Sequence, residues 1–197
     1  MQINIDLLFT WGAVSKRYRK NDFVFHEDEE ARFYFQIESG AVRMFNANDE
    51  GKEFTQGLFS AGNSFGEPPL FLGERYPSSA ICTEDSIIIK LSRDNFFKII
   101  EAYPLLQRSF IELFARRMFN KSMTVRGIIN HSPEERIMDF LNTYKKCKVN
   151  GNEKVLIPYT RQEIANCTGL RVETVIRTLS RMNESGKVSI QNRKLYY

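Results

Sequence analysis

Short runs of apolar residues, separated by turn-forming residues, fill the first half of the chain. Phe33, Phe35 and Ile37 occupy every second position of one run, with a tyrosine and a glutamine between them. This period of two predicts a strand with a single buried face. The predicted strands are residues 23–25, 33–37, 41–45, 53–59, 79–83 and 87–91. Many short strands at this spacing predict an antiparallel β-roll, a small barrel or a jelly roll.

The period becomes helical from residue 94 to about residue 130, with Pro104 near the start of one long helix. Apolar residues then recur at intervals of three and four: Leu106, Phe110, Leu113, Phe114, Met118, Val125 and Ile128. This stripe is too long and too broad for a small β-roll to cover alone. We therefore expect part of it to pack against a second copy of the chain. Cover by the chain's own domains is the alternative.

A second domain is predicted to begin at residue 132. Ser132 and Glu135 have the spacing of a capping box, and Pro133 occupies the first helical position. The helix is expected to reach about residue 144, followed by a basic loop over 145–154 and a short strand over 155–158. The predicted domains are residues 1–93, a dimerisation helix and hinge over residues 94–131, and residues 132–197.

Two short helices joined by a tight turn follow residue 159. Thr160 and Glu163 form a second predicted capping box, and Gly169 supplies the turn. The next helix is predicted over 170–183, with Val172, Val175 and Leu179 facing the core. Its opposite face carries Arg171, Glu173, Arg177 and Arg181. With two strands flanking a turn at 191–193, this pattern predicts a winged helix-turn-helix and an α+β fold overall.

The distribution of charge supports a nucleic-acid-binding second domain. The 197-residue chain has a net charge of +4, but residues 134–197 hold 12 Lys/Arg against 7 Asp/Glu, and residues 1–133 hold 16 against 17. The excess of positive charge, +5 against −1, therefore belongs to the helix-turn-helix half. A solvated basic surface would give the same asymmetry.

The compartment of the protein and the redox state of its cysteines can also be predicted. No apolar run approaches the ~18 residues that span a membrane, and no signal-peptide pattern begins the chain. Cys82, Cys147 and Cys167 are far apart and odd in number, which favours reduced, packed thiols in a cytoplasm.

The sequence resembles the CRP/FNR family of bacterial transcription regulators along essentially its whole length. The matching motifs are YFQIESG at 34–40, NDEGKE at 48–53, FGEPPLF at 65–71, ARRM at 115–118 and TRQEI at 160–164. The resemblance implies a cyclic-nucleotide-binding-like β-roll, a dimerisation helix and a winged helix. It also implies a homodimer that binds double-stranded DNA and contacts RNA polymerase. The basic loop at 145–154 matches the polymerase-contacting surface by position alone.

The resemblance places an effector pocket in the roll, with important departures. In relatives that bind cyclic AMP, a Glu that corresponds to Glu67 bonds the ribose, and an Arg binds the cyclic phosphate. Here Ser78 stands in place of that Arg, although Arg75 is a possible substitute, and Asp28 replaces a turn glycine. The tentative pocket residues are Gly66, Glu67, Arg75, Ser78, Ser79, Lys121 and Ser122. We expect an effector other than cyclic AMP, of unknown identity, or a vestigial pocket.

Other sensor chemistries of the family fit less well. Iron–sulfur members carry an N-terminal cysteine cluster, but no cysteine precedes Cys82. Haem members use axial ligands that have no counterpart here, since His26 and His131 are read as loop and boundary residues. No cofactor is therefore assigned.

By resemblance, Glu173 and Arg177 are the residues that read bases. Glu accepts a hydrogen bond from cytosine N4, and Arg donates to guanine O6 and N7. Relatives with this pair favour TGA-like half-sites, which we expect here as an inverted repeat. Val172 and Ile176 depart from the family and leave the outer bases open. Further candidates for DNA contact are Thr160, Arg161, Gln162, Arg171 and Thr174.

The sequence leaves two other classes of function to consider. In the first, the protein is a ligand-binding or protein-interaction module with a degenerate DNA-reading head, although the Glu173 and Arg177 pair argues against it. In the second, it is an enzyme. The sequence has no P-loop, no His-Glu-x-x-His and no Cys-x-x-Cys motif. We therefore expect no enzymatic activity.

Overall fold

The chain is organised as two compact units, Met1–Arg116 and Arg117–Tyr197. The computed structural model describes residues 2–148 and 154–197, and leaves out the side chains of residues 124, 127–130 and 146–148. The domain boundaries predicted after residues 93 and 131 stay predictions.

The first unit is an antiparallel β-roll with helices before and after it, which confirms the predicted fold class. Its elements are α1 Ile5–Thr10, β1 Val14–Tyr18, β2 Phe23–Phe25, β3 Phe33–Ser39, β4 Ala41–Ala47, β5 Glu53–Ser60, β6 Ser64–Phe65, α2 Glu67–Leu72, β7 Ser79–Cys82, β8 Ser86–Ser92 and α3 Arg93–Ala102. Helix α4, Pro104–Asn130, begins in this unit. One sheet has the order β1-β8-β3-β6 and the other β2-β7-β4-β5, and every pairing is antiparallel.

Four of these elements escaped prediction from the sequence. Strand β1 pairs with β8, but all of its residues except Tyr18 are exposed, so it shows no alternation. Helix α2 lies in the segment 66–78 that was predicted to be a loop, and it contains two prolines in its first turn. A helix tolerates proline only in its first turn, so the two prolines are compatible with α2. Helix α1 and strand β6 are too short to show a period.

The alternation predicted one buried face for β3, and Phe35 and Ile37 are buried, but the other face is buried as well. Tyr34 and Gln36 are as fully buried as Ile37. The Tyr34 ring stacks on Phe96 of α3 with centroids 4.7 Å apart. The Gln36 amide accepts from the backbone N of Ile3 at 2.9 Å and donates to the Ile3 carbonyl at 2.8 Å. The N-terminal segment and α3 thus cover the face that the alternation had assigned to solvent.

The apolar stripe of α4 divides into a covered part and an open part. Phe110 is buried in the roll core, and Leu106, Leu113 and Phe114 pack against that core. Met118 and Val125 are 69% and 55% exposed. The side chain of Ile128 lies outside the described part of the chain. The chain therefore covers the beginning of the stripe itself and leaves Met118 and Val125 exposed.

The second unit has the elements of a winged helix, as predicted. They are α5 Pro133–Lys148, β9 Leu156–Ile157, α6 Arg161–Thr168, α7 Val172–Glu184, β10 Ser189–Gln191 and β11 Lys194–Tyr196. The strands form a sheet of order β10-β11-β9. Helix α5 extends one turn beyond the predicted end at residue 144. Of the predicted loop over 145–154, residues 149–153 lie outside the described residues, as does the side chain of Cys147.

Thr178 of α7 is an unusual member of the second core. Its side chain is 1% exposed, and its hydroxyl finds no hydrogen-bond partner among the described residues. Thr178→Val keeps the shape and removes the desolvated hydroxyl, so we expect the free energy of unfolding to rise by about 1 kcal/mol. The matched control is Thr168→Val, because the buried Thr168 hydroxyl donates to the Ile164 carbonyl at 2.7 Å. Chemical denaturation should show Thr168→Val to be destabilising. A less stable Thr178→Val protein would contradict the account.

Candidate DNA interface and effector pocket

The helix-turn-helix is fixed by local hydrogen bonds at both ends of α6. The backbone N of Glu163 donates to Thr160 Oγ1 at 3.2 Å, and the backbone N of Thr160 donates to Glu163 Oε2 at 2.6 Å, which completes the predicted capping box. Gly169 ends α6 with φ 65°, a conformation that favours glycine. Arg136 of α5 donates to the carbonyl of Thr168 just before this turn. These contacts hold α6 and α7 in a defined relation.

Helix α7 has one buried face and one exposed face. Val175, Leu179 and Met182 are buried in the second core, whereas Glu173 and Arg177 are exposed. Arg171 and Arg181, which were predicted to share that face, are exposed as well. Ile176 stands beside Arg177 with half of its side chain exposed. The arrangement presents a polar, mainly basic surface with a single large apolar group.

Glu173 and Arg177 lie four positions apart, a spacing at which opposite charges on a helix often pair. Within the described part of the chain, neither side chain takes part in an ion pair or a side-chain hydrogen bond. The alternative of an intrahelical salt bridge is therefore not realised in this structure. Both groups remain available to a partner molecule.

The other candidate DNA-contacting residues cluster at the starts of α6 and α7. The Thr160 hydroxyl serves the capping box, and Gln162 donates to Asn166 at 2.9 Å. Partial burial lowers the pKa of the Arg161 guanidinium, a group that stays charged at neutral pH. Arg171 is the residue before α7, and Thr174 is half-buried in its first turn. Their roles stay predictions.

The candidate effector residues of the roll lie at the start of α2 and in the segment that follows it. Gly66 has φ 74°, and a Cβ placed there would lie 3.1 Å from the Phe25 ring and 3.2 Å from the Tyr76 ring. Glu67 is fully buried, and Ser78 is 2% exposed. The Ser79 hydroxyl accepts a hydrogen bond from the backbone N of Glu27 at 3.0 Å. Aromatic rings therefore occupy the space beside Gly66, and Ser78, the predicted counterpart of the phosphate-binding Arg, offers a buried hydroxyl.

Arg75, the possible substitute for the missing Arg, is used elsewhere. Its Nη1 donates to the carbonyl of Asp28 at 2.5 Å, and its Nη2 lies 4.0 Å from Glu30. The side chain is largely exposed and lines a surface cleft of about 590 Å³ together with Arg32 and Arg93. Asp28 has φ 66°, a left-handed conformation that a glycine would adopt more easily. Asp28 thus adopts the backbone conformation for which the resemblance led us to expect a glycine.

Tyr76 is a pocket residue that the sequence did not reveal. Its ring stacks on Phe25 with centroids 3.7 Å apart, and its hydroxyl has no hydrogen-bond partner among the described residues. Burial, followed by the nearby charges of Glu29 and Glu67, raises the pKa of this phenol far above its usual range. Tyr76 lies in the segment predicted to be a loop, where no pattern distinguishes a buried ring from an exposed one.

Lys121 and Ser122 lie on α4 beyond Arg116, in the second unit. Both are exposed, and the Ser122 hydroxyl donates to the Met118 carbonyl at 3.1 Å. Their assignment to an effector pocket stays a prediction.

An exposed seam runs along α4. Ile111, Met118 and Val125 are 68%, 69% and 55% exposed and lie seven residues apart. The small exposed residues Ala115 and Ser122 alternate with them at steps of four and three. A repeat of 3.5 residues is the pattern of a coiled-coil seam.

Among the described residues, no group of three His, Cys, Asp or Glu side chains is placed to hold a metal ion. No helix within residues 2–148 or 154–197 is both long and apolar enough to cross a membrane.

Comparison with known proteins gives the family. Residues 15–103 match the cyclic nucleotide-binding domain, and residues 135–196 match the Crp-like helix-turn-helix domain. The chain is 25% identical over 202 residues to the transcriptional activator protein Anr of Pseudomonas aeruginosa, covering 100% of this chain and 82% of that protein. It is also 25% identical over 173 residues to the cyclic AMP receptor protein of Thermus thermophilus, covering 88% of this chain and 78% of that protein.

Solved structures agree on the fold. The c-di-GMP responsive global regulator CLP of Xanthomonas campestris superposes with a TM-score of 0.84 at 17% identity, over 96% of each chain. The order of β-roll, long helix and winged helix, the two matched domains and the relatives point to the same conclusion. The chain belongs to the CRP/FNR family of DNA-binding transcription regulators.

Proposed function

We propose that this regulator acts as a homodimer that reads an inverted repeat of TGA-like half-sites through Glu173 and Arg177. The observation that carries the proposal is the position of these two side chains. Both are exposed on the face of α7 opposite its buried residues, and neither is engaged by another described side chain. A carboxylate and a guanidinium at this spacing can accept from cytosine and donate to guanine in one major groove.

The seam on α4 supports the dimer. Three large apolar side chains exposed at heptad spacing are costly in water and pack well against an identical helix. A two-fold dimer presents two recognition helices to successive major grooves about 34 Å apart, so the operator is an inverted repeat. Thr160, Arg161, Gln162, Arg171 and Thr174 are proposed to contact the DNA around each half-site and set its register.

The remaining partners follow from the family. RNA polymerase is the proposed partner for transcription activation, and the cytoplasm is the proposed compartment. The predicted polymerase surface over residues 145–154 matches the family by position alone, and residues 149–153 lie outside the described chain.

Cyclic AMP is not the proposed effector. A cyclic phosphate that leaves water needs a charged partner, but buried Ser78 offers only a hydroxyl. The guanidinium of Arg75 is held at the surface by Asp28 and Glu30. If the roll binds a small molecule, that molecule differs in chemistry from cyclic AMP.

Cyclic AMP is accordingly expected to leave both stability and DNA binding unchanged. A ligand present at 100 times its Kd stabilises a protein by about 2.7 kcal/mol, so binding would raise the melting temperature visibly. We expect no rise with about 1 mM cyclic AMP, a concentration that would saturate a typical micromolar site. AMP serves as the control for non-specific binding. A rise with cyclic AMP alone would contradict this view of the pocket.

The DNA-reading proposal is tested with synthetic duplexes in fluorescence anisotropy. An inverted TGA repeat, a single half-site and a scrambled duplex are compared at one salt concentration, because affinity for DNA depends strongly on salt. We expect the inverted repeat to bind at least about tenfold more tightly than the single half-site, since both recognition helices are engaged. Equal binding to all three duplexes would favour a module whose DNA-reading head is degenerate.

A further inference from the structure

A surface cleft of the first unit brings together three arginines from separate parts of the chain. Its volume is about 590 Å³, and Arg32, Arg75 and Arg93 all line it. Arg32 precedes β3, Arg75 follows α2, and Arg93 begins α3. Arg75 is one of the predicted effector residues, but Gly66 and Ser78 do not line this cleft. It is therefore a different place from the predicted effector pocket.

Hydrogen bonds hold the three arginines around the cleft. The backbone N of Arg93 donates to the carbonyl of Arg32 at 2.9 Å. Glu30 and Arg75 form an antiparallel β-bridge, which fixes the segment after α2 against the segment before β3. The side chain of Arg93 is positioned as well, because its Nε donates to the Leu70 carbonyl at 2.9 Å. The three guanidiniums therefore start from fixed points of the backbone.

Two of these guanidiniums already share one carboxylate. Arg32 donates to Glu30 Oε2 through Nε at 2.8 Å and through Nη2 at 2.5 Å, and Arg75 Nη2 lies 4.0 Å from Glu30 Oε1. The hydrogen bond from Arg32, together with the charges of Arg32 and Arg75, lowers the pKa of Glu30. The Glu30 side chain is largely exposed. The cleft thus stabilises a negative charge at a position that solvent reaches.

The other carboxylates of the cleft leave the guanidiniums available. Glu74 and Asp94 also line it, so its formal charge is balanced. Within the described chain, however, neither carboxylate forms an ion pair with a guanidinium. Arg75 and Arg93 each give one hydrogen bond, to a backbone carbonyl, and keep most of their N–H donors for another partner.

We propose that this cleft binds a small anion with several negative charges, such as a diphosphate group, through Arg32, Arg75 and Arg93. Guanidiniums match the geometry of phosphate oxygens and form charge-assisted hydrogen bonds with them. A diphosphate carries more charge than the single carboxylate of Glu30, so it competes with Glu30 for the guanidiniums. Glu30 acts as a built-in competitor that keeps singly charged anions out. The site belongs to the first unit and does not depend on the proposed operator reading.

Isothermal titration calorimetry with inorganic pyrophosphate and the full-length protein tests the proposal. Low ionic strength is used, because salt screens exposed charges. We expect one site per chain with a Kd below about 0.1 mM, and sulfate should bind at least about tenfold more weakly. Arg93→Gln and Arg32→Gln should each weaken pyrophosphate binding by about tenfold, since each removes a charged hydrogen-bond donor.

A third variant should change the affinity in the opposite direction. Glu30→Gln keeps the shape of the side chain and removes the competing charge, so pyrophosphate should bind about threefold to tenfold more tightly. A role of Glu30 in structure alone would not produce tighter binding. The matched control is Arg108→Gln, which removes an exposed arginine paired with Glu112 on α4 and should leave the affinity unchanged.

Several results would overturn the proposal. They are the lack of saturable pyrophosphate binding, equal affinity for sulfate, and wild-type affinity in both Arg93→Gln and Arg32→Gln. Arg32→Gln decides the matter if Arg93→Gln unfolds, because the Arg32 side chain is exposed and its melting temperature should match wild type. Binding lost in Arg177→Ala instead would place the anion on the DNA-reading face. A wild-type protein that binds pyrophosphate but no operator would contradict the proposed function alone.

Discussion

Replacing Arg177 with alanine is expected to abolish discrimination of the guanine in each half-site. A good bidentate contact is worth about 1–3 kcal/mol, and a dimer loses two of them. Operator affinity should therefore fall by about 30-fold to 10⁴-fold. Binding to a scrambled duplex should fall much less. The exposed side chain packs against nothing in the second core, so the free energy of unfolding should stay within about 0.5 kcal/mol of wild type.

Arg181→Ala is the matched control for this prediction. It removes the same charge from an exposed position one turn further along α7. Base contacts come from the N-terminal part of a recognition helix, so the loss at residue 181 should be small and similar for every sequence. Equal losses in the two variants would show that Arg177 contributes only general electrostatic attraction.

A glutamate in place of Met118 is expected to break the homodimer. In a dimer packed along the α4 seam, the two introduced carboxylates would face each other in a desolvated interface. An uncompensated buried charge costs about 3–5 kcal/mol, which raises the dissociation constant of the dimer by about 10²- to 4 × 10³-fold. Sedimentation equilibrium would detect the monomer directly. Because a monomer presents one recognition helix, binding to the inverted repeat should fall to the level of a single half-site.

Met123→Glu makes the same chemical change on the same helix. Met123 is 48% exposed but lies roughly 120° around α4 from the seam, at 100° per residue. It should leave the dimer intact. A dimer that survives Met118→Glu, or one that dissociates in both variants, would show that the heptad pattern does not mark the interface.

Local chemistry explains which elements could be predicted from sequence. A few neighbouring residues determine the two capping boxes, at Ser132 and Thr160, and the left-handed turn at Gly169. The starts of these helices and the turn could therefore be predicted. The β-rich runs with a buried face were also found. The prediction fell short where a segment distant in sequence determines whether a face is buried. Strand β3 is buried on both faces because α3 and the residues around Ile3 cover it.

The site shows the same division. Glu173 and Arg177 follow from helical periodicity and resemblance, and the structure leaves both exposed on one face. The stacking of Tyr76 on Phe25 depends on residues about fifty positions apart, which no local pattern records. The left-handed backbone of Asn192 and Arg193 follows from the length of their turn, because the pairing of Gln191 with Lys194 leaves a connection of only two residues. The sequence therefore predicted the identity and spacing of the candidate DNA-reading residues, but it did not predict how the aromatic rings pack in the pocket.

Selection of bound duplexes from a random library by the purified wild-type protein tests the central claim most directly. The library imposes no half-site, no spacing and no symmetry. The account predicts enrichment of an inverted repeat whose half-sites contain TGA, with centres about 10 base pairs apart, and the same motif with or without cyclic AMP. Enrichment of a single unpaired half-site, of an unrelated motif or of no motif would contradict the account of a dimer that reads DNA through Glu173 and Arg177.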